Sequence, residues 1–210
     1  MGTDISMLCE IRKNGKWAIN KKEIFSAYGE PTASPYIYRN YDLFAILADV
    51  RNGYGFAGVY TGEGFTPICA EWKGLPADVS EDVKEELFQD GYGESYYTLT
   101  ELEQYDWSQK HRAYGVVEYD EYAETVAKGL MPQHYCGGVG GPNIRVISAD
   151  EFPLKKKQKN VTYYVAGFLP VETYADAVGT FYTETIPLLR SLIPEGGTSD
   201  DVRIVFNFDC

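Results

Sequence analysis

Four places in this 210-residue chain bring together side chains that could do chemistry. Asp4 and Ser6 stand on the polar side of an alternating stretch, and Arg39, Asn40 and Tyr41 open an amphipathic one. A polar set on a strand whose other face is core can line a cleft. Arg39 at a helix start would favour an anion and a tyrosine ring can stack on a base, which suits a nucleotide signal. A structural ion pair between Asp4 and Arg39 satisfies the same residues. His134 and Cys136 could supply a base and a thiol, or two metal ligands. His111 is the only other histidine, and no His-x-x-x-His spacing or Asp/His cluster accompanies either one. Ordinary surface and core roles are the preferred reading of both histidines. No catalytic residue, metal or cofactor is assigned.

The other two places are glycine-rich. Gly53-Tyr-Gly55-Phe-Ala-Gly58-Val59 has the Gly-x-Gly-x-x-Gly-x-Val spacing of a kinase phosphate loop, with Lys73 downstream. A kinase also needs His-Arg-Asp and Asp-Phe-Gly segments, and the chain has neither. A dinucleotide fingerprint needs a strand before the glycines, whereas a helical pattern precedes these. Turn-forming glycine is the reading that remains. Gly137 to Pro142 could present backbone amides to an anion, but no Lys-Ser or Lys-Thr follows, so a surface loop is expected.

Charge is the sharper signal. The chain carries 31 acidic and 19 basic residues, a net charge of −12. Such a chain is a poor binder of nucleic acid or anionic membrane, because phosphate contacts need Lys and Arg. Residues 78–124 hold 14 carboxylates against Lys84, Lys110 and Arg112, so almost the whole imbalance lies in that segment. Three helices are predicted there, opened by Ser80, by the capping box Thr98-Leu-Thr-Glu101 and near Glu118. They would display Glu81, Asp82, Glu85, Glu86, Glu101, Glu103, Asp106, Glu118, Asp120, Glu121 and Glu124, with Tyr92, Tyr96, Tyr97, Tyr105, Tyr119 and Tyr122 between them. Such a face either aids solubility or docks on a basic surface, for instance the nucleic-acid groove of another protein. The run Lys155-Lys156-Lys157 with Lys159 reads as solvated loop.

These residues need a scaffold. Residues 3–11 alternate as a strand, Asn14-Gly15 is a hairpin turn pair, and Trp17 to Ile19 is the return. Residues 26–37 read as loop, and Tyr41 to Val50 has a wide apolar helical stripe. Residues 53–64 suggest strand segments joined by tight turns. Ile144 to Ile147 and Val161 to Phe168 read as strands. Thr173 to Leu192 is the longest helical pattern, with a kink at Pro187. Val202, Ile204, Phe206 and Phe208 alternate with Arg203 and Asn207 as a final strand. Strands at both ends with helices between them, and no regular β-α alternation, give an α+β class: a single domain over 1–210 with a mixed or antiparallel sheet containing both terminal strands. Cys9, Cys69, Cys136 and Cys210 are scattered and read as reduced thiols. No apolar run reaches the ~18–20 residues of a membrane span and no leader pattern opens the chain, so a soluble, unprocessed protein is expected. The aromatic content, 15%, makes a homodimer reasonable.

Several blocks carry a resemblance: Met1-Gly-Thr-Asp-Ile5, Arg39-Asn-Tyr-Asp-Leu-Phe-Ala-Ile-Leu-Ala-Asp-Val-Arg-Asn-Gly53, Gly55-Phe-Ala-Gly58, Gly74-Leu-Pro76, Leu99-Thr-Glu-Leu102 with Tyr105-Asp-Trp107, and Val202-Arg-Ile-Val-Phe206 with Phe208-Asp209. Together they are similar to a family of uncharacterised proteins encoded by bacteriophages and prophages. The resemblance spans nearly the whole chain and implies the cytoplasm of a bacterial host, but it supplies no activity. Members of that family often have His where Ser6 stands and a His-Ser-x-Ser-Trp run near Gly93 to Tyr97. This chain has neither, so any metal or acid–base chemistry those histidines served is lost to it. The expectation is an accessory protein that binds and blocks a host factor of antiviral defence through the acidic face. The alternatives are a protein that sequesters a nucleotide signal, and a hydrolase or transferase.

Overall fold

Two hydrogen-bonded sheets, each with its own core, carry the described part of the molecule. The computed structural model describes residues 2–23, 25–27, 30–87 and 89–209. In chain order the strands and helices are β1 (Asp4–Lys13), β2 (Lys16–Ile19), β3 (Phe25–Ala27), β4 (Glu30–Thr32), α1 (Tyr41–Ala48), α2 (Glu81–Glu86), β5 (Tyr92–Thr98), α3 (Leu99–Gln104), β6 (Lys110–His111), β7 (Tyr114–Glu118), α4 (Tyr119–Glu124), β8 (Ile144–Ser148), β9 (Thr162–Phe168), β10 (Glu172–Thr173), α5 (Tyr174–Val178), α6 (Ile186–Ser191) and β11 (Val202–Asp209). The class is α+β, and one sheet contains both the first and the last strand.

That first sheet has the order β2-β1-β11-β5 and is antiparallel throughout. Asn14 and Gly15 both take positive φ, 51° and 77°, as a two-residue hairpin turn between right-twisted strands requires. The inner face presents Met7, Cys9, Ile204, Phe206, Phe208 and Tyr97 to α1, whose residues Leu43 to Ala48 are all buried. Asn40 starts α1 by accepting the Leu43 N–H at 2.9 Å, and Asp49 ends it in the left-handed region. Burial raises the Cys9 thiol to about 12, so it is an inert core group. Cys9, Cys69 and Cys136 are free thiols, and Cys210 lies outside the described residues.

The outer face was expected to meet solvent at Glu10, Arg203 and Asn207, and it does not: all three are buried. The segment before α2 and α2 itself fold across it, packing Val79 and Val83 on Val205 beside Leu8, Ile19 and Tyr96. Burial of Glu10 and Arg203 is possible because they pair at 2.7 Å. Arg203 also donates to the Asp78 carboxylate at 2.7 Å and stacks on Trp17, while Glu10 accepts the Ser80 N–H at 2.8 Å.

The second sheet, β7-β9-β8, is antiparallel between β7 and β9 and parallel between β9 and β8. One face buries Val117, Val165, Ile147 and Tyr163 with Tyr119 and Tyr122 of α4. Gly62 joins the glycine-rich stretch to the strand pair by a bridge to Ala113. Its φ is +138°, and a Cβ there would lie 2.4 Å from the Arg112 carbonyl oxygen, so only glycine permits the approach.

Other expectations need correction. Residues 53–64 form isolated bridges and a short 3-10 turn rather than strands, and residues 26–37 contain the β3–β4 hairpin. The long helical pattern splits into α5, a π-turn at Phe181–Thr185 and α6. Gly179 ends α5 at φ 52°, and Pro187 lies in the first turn of α6, where its missing N–H costs nothing. The tyrosines of 78–124 do not interleave with carboxylates on helices. Tyr92, Tyr96 and Tyr97 belong to β5, and Tyr97, Tyr119 and Tyr122 are buried.

Replacing Arg203 by Met leaves the Glu10 carboxylate buried and unpaired, and should cost about 3–5 kcal/mol in urea unfolding. Glu10→Gln combined with Arg203→Met should recover most of that loss, since the uncompensated charge is then gone.

Candidate functional site

Beyond Glu10 and Arg203 the outer face of the first sheet carries two small cavities, and of the cleft residues read from the sequence only Asp4 and Ser6 line one of them. Asp4, Ile5, Ser6, Glu86 and Asp209 line a cavity of about 160 Å³. A second, of about 90 Å³, is lined by Leu75, Lys84, Leu87, Gln89, Glu94 and Asn207. Glu86 of α2 lines the first, and Lys84 with Leu87 lines the second. Ser6 pairs with Asn207, and the β11–β5 ladder shifts between Phe206 and Phe208, so Gly93 and Glu94 bulge beyond Asn207. Ser6 on β1 and residues 93–97 of β5 therefore lie two strand spacings apart, about 10 Å.

Electrostatics decide what this cleft can hold. Arg39 pairs with both carboxylate oxygens of Asp4, and the Asp4 N–H donates to the Asp209 carboxylate at 2.9 Å. Arg39 holds the Asp4 carboxyl below its usual range. The guanidinium is thus neutralised and does not face an anion. Asn40 is committed at both ends, its oxygen capping α1 and its amide donating to the Ala177 carbonyl at 3.0 Å. The Tyr41 hydroxyl accepts the Thr3 N–H at 3.3 Å under the Arg51 guanidinium. What remains open is lined by Asp4, Glu86 and Asp209. A phosphate would meet three carboxylates in a space about half of the ~300 Å³ at which small-molecule pockets begin. The nucleotide expectation for this cleft is not met.

The acidic residues of 78–124 are distributed over three supports. α3 packs on α6 and β5, and its carboxylates are committed: Glu101 caps Thr98 and pairs with Lys73, Glu103 pairs with Arg190 and Ser199, and Asp106 accepts from Ser108. α4 packs on the second sheet. There Glu118 caps the helix, Asp120 pairs with Lys157 at 2.9 Å, and Glu121 accepts the His134 N–H at 2.8 Å, leaving Glu124 exposed. α2 differs. Lys84 and Lys21 take Glu81 and Asp82, but Glu85 and Glu86 are exposed and have no ion-pair partner among the described residues. Glu86 lines the Asp4–Asp209 cavity.

Two further constellations are seen: one adds Glu121 to the His134 and Cys136 read from the sequence, and the other, joining residues far apart in the chain, escaped that reading. The first is a cavity of about 240 Å³ lined by Glu121, His134 and Cys136 together with Val116, Glu118, Tyr135 and Tyr164. The Cys136 thiol is directed at the Gly138 carbonyl oxygen, 3.4 Å away, rather than at the imidazole, so no nucleophile–base pair is formed. The second joins Asp42 of α1, Glu172 of β10 and Tyr135. Burial pushes the Asp42 carboxyl to about 6. Burial, then Asp42 and Asp176, push Glu172 to about 7. His111, paired across the ribbon with Glu172, stacks on Phe65 at 4.0 Å, and burial lowers its pKa. Among the described residues no group of three His, Cys, Asp or Glu is placed to hold a metal, and no helix is long and apolar enough to cross a membrane. Compared with known proteins, the chain matches no family model, no curated protein and no solved structure.

Asp42 and Glu172 give a pH prediction. Both have folded values above the free ones of 3.8 and 4.5, so they favour the fold while protonated and that contribution is lost as pH rises through 6 to 7. The melting temperature should fall from about pH 4 to about pH 7 and level off above that, and Asp42→Asn with Glu172→Gln should flatten the slope.

Proposed function

We propose that this chain acts by binding, as a phage-encoded protein whose α2 surface docks on a basic surface of a bacterial host protein. The observation that carries this reading is the commitment of the carboxylates. Those of α3 and most of those of α4 serve as caps and ion-pair partners, whereas Glu85 and Glu86 are exposed on α2 with no ion-pair partner among the described residues, and Glu86 lines a cavity with Asp4 and Asp209. Carboxylates gathered at this density raise a negative potential that steers a basic partner and fixes its orientation. The phage setting rests on the sequence resemblance. An antiviral-defence component is the proposed class of target, because blocking such a factor requires occupation of its site and no catalysis.

The test is capture from a bacterial lysate at low ionic strength, followed by calorimetry with the partner so identified. Binding to a basic protein should weaken at least about tenfold between about 50 mM and 500 mM salt, because the Debye length shrinks to a few ångströms. Glu81→Lys with Glu85→Lys and Glu86→Lys should abolish binding, while Glu124→Lys on α4 should leave it within about twofold. A partner held equally well by the triple variant would overturn the assignment of the surface.

A further inference from the structure

We infer that the outward face of the second sheet is a self-association surface, through which two copies of the chain pair about a two-fold axis. Alternate residues of its strands turn away from the core of Val117, Val165 and Ile147. On that side lie Tyr114 of β7, Tyr164 and Phe168 of β9 and Val146 of β8, around Val116, which these neighbours leave only 5% exposed. Tyr60, from the glycine-rich stretch, extends the patch, with ring centroids 5.4 Å from Tyr114 and 6.4 Å from Phe168. Tyr60, Val146 and Phe168 remain 41%, 41% and 38% exposed. A contiguous patch so rich in aromatic rings has the composition of an interface core rather than of a solvated sheet face.

The charges at its two ends select the occupant. Arg112 lies over the Phe168 ring at 4.9 Å and has no ion pair among the described residues. At the other end Glu118, which caps α4 and is paired in register with Tyr164, and Glu121, which also accepts the His134 N–H, border the same surface. Six residues of extended chain separate Arg112 from Glu118, about 20 Å. The face is therefore a stripe with a cationic end, an apolar middle and an anionic end. Turned by 180° about an axis near Val116 and Ala166, a second copy lays its Glu118 and Glu121 on the first copy's Arg112, and the reverse contact forms at the same time. An isologous pairing of this kind needs no feature beyond those present in one chain. An unrelated protein would need the same stripe inverted. Single-stranded nucleic acid would meet the carboxylates in a chain of net charge −12.

Sedimentation velocity on the whole chain at about 1–100 µM should show a dimer, the range in which interfaces of modest area saturate. Phe168→Glu should shift the mass to that of one chain. Arg112→Glu and Glu121→Lys should each weaken self-association at least about tenfold, because each sets two like charges against each other twice. The two variants mixed in equal amounts should form a heterodimer visible in a native mass spectrum, since each then supplies the charge the other lacks. Phe168→Glu should form no dimer with either. Glu121 also holds the His134 main chain, so circular dichroism of that variant is compared with the parent, and Arg112→Glu carries the same test without that contact. A chain monomeric at about 100 µM, or a dimer unmoved by Phe168→Glu and Arg112→Glu, would overturn the inference.

Discussion

A charge pair removed from water holds the first sheet together and places the proposed site. Glu10 and Arg203 face each other on adjacent strands at the middle of the outer face, and neither reaches solvent. Each would carry a desolvation cost of several kcal/mol alone, so the two are stable only as a pair with further hydrogen-bond partners. Those partners are the Asp78 carboxylate and the Ser80 N–H, which belong to the segment leading into α2. The pair thereby draws α2 across the sheet and sets where its carboxylates project. Trp17 and Tyr96 close over the guanidinium from either side. The position of Glu86 beside Ser6 is thus a consequence of an ion pair four residues further along β1 on the same face.

The acidic segment shows how one composition can serve two ends. The carboxylates of Glu101, Asp106 and Glu118 accept the backbone N–H groups of Thr98, Ser108 and Asp120, donors that short helices and turns leave open, work that any soluble fold requires. The α2 carboxylates satisfy none of these. Counting charges along the chain cannot separate the two groups, because the distinction lies in what each oxygen accepts.

Much of the scaffold was legible before any coordinates. β1, β2, β8, β9, β11 and α1 follow from alternation or helical spacing, and the Asn14-Gly15 turn and the Thr98 box follow from local hydrogen bonding. β5 did not, because its inward positions are Gly93, Ser95 and Tyr97 and its outward ones include Tyr96, which leaves no apolar period. The long helix was overread since Thr173 to Leu192 keeps its spacing through Gly179, and the break is made by backbone geometry rather than by polarity. Of the cleft, Asp4 and Ser6 could be placed on the polar side of β1. Glu86, Asn207 and Asp209 join them only through the fold-back of α2 and the last strand, and Asp42 meets Glu172 across 130 positions of sequence. Arg39 could be read either as an anion contact or as the ion-pair partner of Asp4, and the ion pair is the one that forms.

The pairing of β1 with β11 joins Asp4 to Asp209. The central hydrogen-bonded ladder of the first sheet therefore connects the earliest described residues to the latest, with nearly every other element between them. On the ribosome, β1 and β2 emerge as a hairpin with an apolar face and an open edge, and they wait for almost the entire chain before the neighbouring strand exists. Closure of that sheet carries a large loop entropy and comes late in folding, after the second sheet has had its strands available. During that interval the exposed edge of β1 is the part of the nascent chain most open to pairing with another molecule.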